Sequence, residues 1–112
     1  MRPPEDLPDM AELRREVDAT DRALIDLLAY RARLIDRAAE LKPEEGLPAR
    51  IEARVEEVVA NARGGAAKAG FDPDLAERLW RDLIEWSIRR EERVLGTGAE
   101  PATDGTSEED RS

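Results

Sequence analysis

Apolar residues recur at helical spacing along most of the chain, and the first such stretch predicts an unusually long helix. It runs from about Asp9 to Lys42 with no internal Gly or Pro, and Asp9 with Glu12 resembles a capping box. Pro43 is expected to end it. Its apolar stripe reads as a heptad, which predicts a face packed against another helix. One seam holds Arg14, Asp21, Leu28, Ile35 and Lys42, and the other Val17, Leu24, Arg31 and Ala38.

Two shorter helices follow, so the predicted fold class is all-α, with three helices per chain. The second spans about residues 49–69, with Gly70 in the position that ends a helix. Asp72-Pro73 is an N-cap followed by Pro at the first helical position, and the third helix is expected to end near Leu95. The first helix is too long for the other two to cover, which calls for a partner chain.

Three cations interrupt the apolar stripe of the first helix. Arg14, Arg31 and Lys42 stand where Leu would be expected. Burying an unpaired cation costs several kcal/mol, roughly, so an anionic ligand is expected to meet them. The alternative is that each side chain buries only its stem and keeps its charged end in water.

The spacing of these cations favours a dimer. Arg31 and Lys42 lie roughly 16 Å apart along the axis, close to three whole turns, so their side chains can converge on one small anion. Arg14 lies about 25 Å from Arg31 and cannot reach that anion from its own chain. It could reach an anion held by an antiparallel copy of the helix.

Composition narrows the function classes. The chain has 112 residues and a net charge of −9, with neither Cys nor His, so thiol chemistry and histidine acid–base chemistry are excluded. Residues 1–12 carry one cation and four anions, and residues 96–112 carry one cation and five anions, so the remainder is nearly neutral. The predicted organisation is an extended segment over 1–8, a helical domain over 9–95 and a disordered acidic tail over 96–112. An acidic chain without a long apolar run argues against nucleic acid and membrane partners and for the cytoplasm.

Three further polar residues lie on or beside predicted buried faces. Arg54 lies beside the apolar face of the second helix, and Ser87 and Glu91 lie on one row of the third with Trp80 and Ile84. Each alone has an ordinary explanation, such as a surface ion pair or a hydroxyl bonded to its own helix. Together with the three cations they describe a pocket for a small dicarboxylate, which Arg side chains bind bidentately.

These residues lead to a family resemblance. The run from Leu13 to Asp21 (LRREVDATD) resembles the opening LRxxIDxxD of the all-α chorismate mutases, as does Leu27-Leu28-Ala29-Tyr30-Arg31 followed by Lys42. The resemblance covers about residues 10–95. It extends to isochorismate pyruvate lyases of the same fold, which Pro4-Glu5-Asp6 and Leu47-Pro48-Ala49 also resemble.

The resemblance implies an intertwined homodimer that converts chorismate to prephenate for aromatic amino-acid biosynthesis, without a cofactor or metal. By analogy, Arg14 from the partner chain and Arg31 would hold the substrate carboxylates, and Lys42 would face the ether oxygen of the breaking bond. The remaining positions that match the family are Arg54 on helix two and, on helix three, Ser87 as a ring-carboxylate contact and Glu91 at the last catalytic position.

Glu91 raises a hypothesis about pH. The family position is commonly Gln, which donates a hydrogen bond at any pH, whereas an ionised Glu can only accept. If Glu91 donates to the ether oxygen it must be protonated, so activity should fall as the pH rises and this carboxyl ionises.

The chain also departs from the family, which keeps two other functions open. Two positions that often carry acids near the substrate hydroxyl align with Ile51 and Val55, and Glu52 or Glu56 could substitute only after a shift of register. The first alternative is therefore an isochorismate pyruvate lyase that forms salicylate. The second is a non-catalytic helical dimer that binds a partner enzyme or senses a metabolite.

Overall fold

The computed structural model describes residues 2–95, and this part of the chain is helical without a strand. A short 3-10 helix, Pro4–Asp6, precedes α1 (Met10–Glu44), α2 (Glu52–Ala69) and α3 (Pro73–Leu95). The predicted all-α class and the long first helix are confirmed. The chain divides into two compact units, the first ending at Leu34 and the second beginning at Ile35. The acidic tail predicted for residues 96–112 lies outside the described residues.

The N-terminal segment differs from the extended conformation predicted for residues 1–8. Pro4–Asp6 form one 3-10 turn, in which the Leu7 N–H donates to the Pro4 carbonyl at 3.1 Å. Proline suits the first position of such a turn, because its φ is already near the helical value and its missing N–H would have no partner there. Arg2 holds the segment to α1 by an ion pair with Glu12 at 3.0 Å.

The first unit exposes many large apolar side chains. Asp9 caps the start of α1 as predicted, because its Oδ1 accepts the Glu12 N–H at 2.9 Å. The helix then leaves the following side chains more than a third exposed: Met10, Leu13, Val17, Leu24, Ile25, Leu27, Leu28, Tyr30 and Leu34. So large an apolar surface on one helix is typical of a surface that another chain covers.

The helix α1 ends at Glu44, two residues beyond the predicted end at Lys42. Pro43 lies within the last turn, and the helix closes beyond it with Gly46 at φ +71°. The Leu47 N–H donates to the Lys42 carbonyl at 2.8 Å and the Gly46 N–H donates to the Pro43 carbonyl at 3.1 Å, which is a Schellman motif. A proline this close to the end removes one helical hydrogen bond without breaking the turns that follow.

Local signals place most of the remaining helix ends. α2 begins three residues later than predicted, because residues 49–51 form the end of the loop. Gly70, at φ +76°, ends α2 as predicted, with the Phe71 N–H donating to the Ala66 carbonyl at 2.8 Å. Asp72 caps α3 as predicted, since its Oδ1 accepts the Asp74 N–H at 2.9 Å.

The core of the second unit lies between α2 and α3. Val55 and Val59 of α2 pack with Ile84 and Ile88 of α3, and all four side chains are buried. Ala49, Val58 and Trp80 pack around this cluster. The core therefore fixes one face of α3, and the polar residues on that face are carried into a protected position. Among residues 2–95, none of the helices combines the length and apolar character needed to cross a membrane.

Candidate functional site

The centre of the candidate site is an ion pair between α1 and α3. The Nζ of Lys42, in the last turn of α1, donates to Oε1 of Glu91 at 2.6 Å. Both groups are protected, since 19% of the Lys42 side chain and 5% of the Glu91 side chain are exposed. Charges taken out of water in this way require close partners, which each of these two residues finds in the other. Two of the three residues that the family resemblance assigned to catalysis, Lys42 and Glu91, are thus brought together, and Arg31 is the third.

Lys42 is held by a second acceptor as well. Its Nζ donates to the backbone carbonyl of Ala49 at 2.6 Å. Ala49 belongs to the loop between α1 and α2 and packs on the core cluster, so this carbonyl is held in place. An ammonium has three N–H donors. These contacts use two of them, and the third can bond a molecule placed beside Lys42.

Ser87 lies one helical turn before Glu91 on the same face of α3. These two are the buried polar residues of the described part of the chain, with 3% and 4% of the whole residue exposed, and Ile84 and Ile88 are buried on the same face. The Oγ of Ser87 donates to the Leu83 carbonyl at 2.8 Å, a bond within its own helix. The sequence-predicted row of Trp80, Ile84, Ser87 and Glu91 is thus confirmed as the inward-facing row.

A second ion pair joins α1 to α3 beside the first. Arg90 donates to Asp36 with both arms of its guanidinium, through Nε at 2.6 Å and Nη2 at 3.1 Å. The hydrogen bond from Arg90 holds the pKa of Asp36 below its ordinary value, and the bond to Asp36 raises the pKa of Arg90. The guanidinium also lies over the ring of Trp86, 5.3 Å from its centroid. Sequence reasoning missed this pair, although an arginine in the same row as Trp86 was a signal for it.

Arg54 lies at the surface of α2. Its Nη1 donates to Glu57 at 2.8 Å, and both side chains are 62% exposed. This is the ordinary (i, i+3) ion pair of a solvated helix. In the described structure Arg54 is thus engaged with its own helix.

Arg14 and Arg31 belong to the first unit. Arg14 is exposed and Arg31 is half-buried on α1. Arg14 lies in the stretch of α1 that exposes the apolar residues, so a partner chain covering this stretch would also meet Arg14.

The two apolar positions on α2 keep acids away from the core side of that helix. Val55 is buried in the core, and Ile51 is half-buried just before α2 begins. The neighbouring acids are engaged at the surface. Glu52 accepts from Arg50 at 3.3 Å, and Glu56 accepts from Arg81 at 3.2 and 3.3 Å. Neither acid takes the place of a carboxylate at position 51 or 55.

Comparison with known proteins finds a family and several relatives that match most of the chain. The family model described as chorismate mutase type II matches residues 13–92, which include Arg14, Arg31, Lys42, Arg54, Ser87 and Glu91. Two bacterial T-proteins are similar, that of Enterobacter agglomerans at 35% identity over 74% of this chain and that of Haemophilus influenzae at 34% over 73%. The aligned part covers 22% of the length of each T-protein.

A third relative is closer in length. The 4-amino-4-deoxychorismate mutase of Streptomyces pristinaespiralis is 33% identical over 80% of this chain and 69% of its own length. The family match covers more than two thirds of the chain and contains the buried Lys42–Glu91 pair. The chain therefore belongs to the chorismate mutase type II family.

Proposed function

We propose that the protein is a homodimeric chorismate mutase that converts chorismate to prephenate in aromatic amino-acid biosynthesis in the cytoplasm. The observation that carries the proposal is the buried pair of Lys42 and Glu91, at 2.6 Å, inside the region that matches the family. A cation with one unused donor beside a carboxyl suits a reaction in which negative charge develops on an ether oxygen.

The reaction needs positioning more than it needs reactive groups. It is an intramolecular rearrangement in which one C–O bond breaks as one C–C bond forms, so no nucleophile or general base takes part. The protein holds the substrate in its compact reactive conformer, for which two guanidinium groups on two carboxylates are well suited. Arg31 and Arg14 take this part in our proposal, with Ser87 at the ring carboxylate and Arg54 as a further contact once its exposed pair with Glu57 opens.

Lys42 and Glu91 act at the breaking bond. The third N–H of Lys42 donates to the ether oxygen, where it stabilises the charge of the transition state. Oε1 of Glu91 already accepts from Lys42, so a proton that Glu91 donates to the substrate must lie on Oε2. The active form on this proposal is the one with Glu91 protonated.

The dimer completes the site. The first unit exposes a long apolar surface on α1, and Arg14 lies near the N-terminal end of it. A second copy that covers this surface removes apolar area from water at about 25 cal/mol per Å². The same association brings Arg14 of one chain to the site of the other, as the spacing of the cations requires.

Two other substrates compete with chorismate because of Ile51 and Val55. Isochorismate and 4-amino-4-deoxychorismate share the carboxylates and the ether oxygen and differ in the ring substituent. Val55 is buried and apolar, and the neighbouring acids pair with Arg50 and Arg81, so no acid of α2 selects the C4 hydroxyl. The name of the Streptomyces relative makes the amino compound a specific candidate.

The test is to give the purified protein each of the three substrates and to identify the products by chromatography. Prephenate from chorismate is the expected result. Salicylate and pyruvate from isochorismate would replace the mutase by a lyase, and preferred turnover of the amino compound would reassign the substrate. If none of the three is consumed, the protein is a non-catalytic binding dimer.

A matched pair of variants strengthens this test. Arg31→Ala removes a guanidinium proposed to hold a carboxylate, and turnover should become undetectable. Arg33→Ala removes the same charge from an exposed position two residues further along α1, where Arg33 lies 5.3 Å from the Tyr30 ring. Turnover by the Arg33 variant should stay at the level of the unmodified protein, and equal loss in both variants would contradict a specific role for Arg31.

A further inference from the structure

We propose that Arg90 is a positioning residue which, held by Asp36 and Trp86, keeps Glu91 directed at Lys42. The inference rests on the proposed function, because it concerns the same catalytic pair. Arg90 and Glu91 are consecutive residues of α3. A contact that fixes the side chain of Arg90 therefore also restricts the direction in which the helix presents Glu91. The hydrogen bonds of Arg90 go to Asp36, whereas those of Lys42 go to Glu91 and to the Ala49 carbonyl.

Two separate contacts tie the end of α1 to α3. Lys42 bonds Glu91 at 2.6 Å, and Asp36 bonds Arg90 at 2.6 and 3.1 Å. Asp36 lies six residues before Lys42, about 9 Å along the axis. A single contact would act as a pivot about which the end of α1 could turn against α3, which its core contacts with α2 hold in place. Two contacts at separate points remove that rotation and keep the Glu91 carboxyl and Lys42 directed at each other.

The order of acid and cation along each helix favours one pairing of α1 with α3. On α1 the acid is Asp36 and the cation is Lys42, whereas on α3 the cation is Arg90 and the acid is Glu91. Exchanging the partners would place Asp36 against Glu91 and Lys42 against Arg90, and like charges repel. The pattern therefore accepts one pairing of the two helices and disfavours the exchanged pairing.

The geometry of Arg90 is that of a rigid clamp. The guanidinium is planar, and both of its bonds go to the two oxygens of one carboxylate, which fixes its orientation as well as its distance. Trp86 lies under the same guanidinium, 5.3 Å away, and limits its movement out of that plane. A flexible surface arginine would not be held on two sides in this way.

The exposure of the Arg90–Asp36 pair indicates that the pair positions Glu91 and contributes little to the stability of the fold. The side chain of Arg90 is 35% exposed and that of Asp36 is 42% exposed, whereas Glu91 is 5% exposed. Pairs so accessible to water contribute little to folding stability. Loss of the contacts of Arg90 should thus leave the fold intact and leave the direction of the Glu91 carboxyl less restricted. The effect should appear in kcat and not in KM.

The experiment compares Arg90→Ala with Arg93→Ala, an exposed position one turn further along α3 with the same change of charge. For Arg90→Ala we expect kcat for chorismate to fall about tenfold with KM little changed, since a misplacement of a fraction of an ångström costs this much. The Arg93 variant should keep both constants. Equal constants in the two variants, or a loss confined to KM, would overturn the proposal.

A double-variant cycle tests whether Arg90 acts through Asp36. Asp36→Ala should lower kcat as much as Arg90→Ala, and the double variant should be no slower than either single one, because all three lose the same contact. If the fold-losses in kcat of the two single variants multiply in the double variant, Arg90 and Asp36 act independently, and this result would contradict the proposal.

A crystal structure can test the role of Arg90 independently of the proposed function. If the unmodified protein consumes no chorismate, the proposed function fails, and a crystal structure of the Arg90→Ala variant still tests the clamp. The distance from Lys42 Nζ to Glu91 Oε1 should lengthen beyond hydrogen-bond range in that variant and stay near 2.6 Å in the Arg93 variant. A distance unchanged in both variants would overturn the inference.

Discussion

At the scale of single residues, the most informative position is Glu91. It is a carboxyl with 5% exposure on a face otherwise made of Ile84, Ile88 and Ser87, and it meets the one cation that reaches it from α1 among residues 2–95. The amino-acid type at this position decides how the proposed site responds to pH. A carboxyl changes between acceptor and donor with pH, and an amide does not.

The first prediction concerns Glu91→Gln. If Glu91 must carry a proton to donate to the ether oxygen, kcat of the unmodified protein falls as the pH rises, whereas the Gln variant, which donates throughout, shows a flat profile. The measurement is the pH profile of kcat for chorismate in both proteins. The same slope in both would show that Glu91 is not the group whose proton matters.

Single residues also show where sequence reasoning reaches its limit. The pairing of Lys42 with Glu91 could be expected, because both interrupt apolar rows and both match a family motif. Arg54 and Arg90 both lie beside apolar faces in the sequence, yet Arg54 pairs with Glu57 at the surface and Arg90 clamps Asp36. Periodicity gives the face of a residue but not the direction of a long flexible side chain. The carbonyl of Ala49 carries no sequence signal, because every residue has one.

At the scale of the helices, the chain could be divided correctly wherever the signal was local. Asp9, Gly70 and Asp72 act within one turn of their own position, and all three do what the sequence predicted. The predicted end of α1 and the predicted start of α2 differ from the structure by two and three residues. There the loop between Gly46 and Ile51 follows the contact of Ala49 with Lys42 and the core, which is a tertiary effect.

Acids that stay ionised add a modest contribution to the association of α2 with α3, which rests mainly on the apolar core. A hydrogen bond from Arg81 is the main reason that the pKa of Glu77 lies below the ordinary value of 4.5, and a bond from Arg63 adds to the effect. A hydrogen bond from Arg50 lowers the pKa of Glu85 in the same way. A carboxyl whose pKa is lower in the folded state contributes stability that is fully present above 4.5. That contribution is lost as the pH falls through the folded-state pKa.

The second prediction is therefore acid sensitivity of the α2–α3 pair. The free energy of unfolding, measured by urea titration, should decline as the pH falls below about 4.5. Glu85→Gln should make this decline shallower, because the variant has no proton to take up at that position. Asp82→Asn, which changes an exposed acid on the same helix, serves as the control and should keep the full decline. A decline that begins near neutral pH would assign the sensitivity to other groups.

At the scale of the whole molecule, the apolar surface of the first unit is the feature on which the proposed dimer rests. Nine large apolar side chains of α1 before Ile35 are more than a third exposed. Arg14 lies among them. We therefore propose that one partner chain both covers this surface and receives Arg14. Sequence spacing could predict the need for a partner, because the helix is too long for its own chain to cover. It could not give the geometry of the interface, which depends on a second chain.

The third prediction tests this shared site by mixing two inactive variants. Arg14→Ala and Arg31→Ala each destroy both sites of their own dimer. In a dimer made of one chain of each, one site has an intact Arg31 and receives an intact Arg14, and the other site has lost both. After unfolding and refolding an equimolar mixture, half of the dimers are mixed, so activity should recover to about one quarter of the unmodified level.

The control is to mix the two variants without unfolding them, which should give no recovery if the chains exchange slowly. Refolding of either variant alone should also give none. Absence of recovery in the refolded mixture would place Arg14 and its pocket on one chain and exclude a shared site.

The bond from Lys42 to the Ala49 carbonyl has a consequence for redesign of the chain. On the proposed function, it makes the connection between α1 and α2 part of the catalytic site through a backbone carbonyl. Surface loops ordinarily tolerate added residues well. Here an added residue between Gly46 and Ala49 would move the acceptor that directs the ammonium, so this loop is a poor place to insert a tag or to join a second domain.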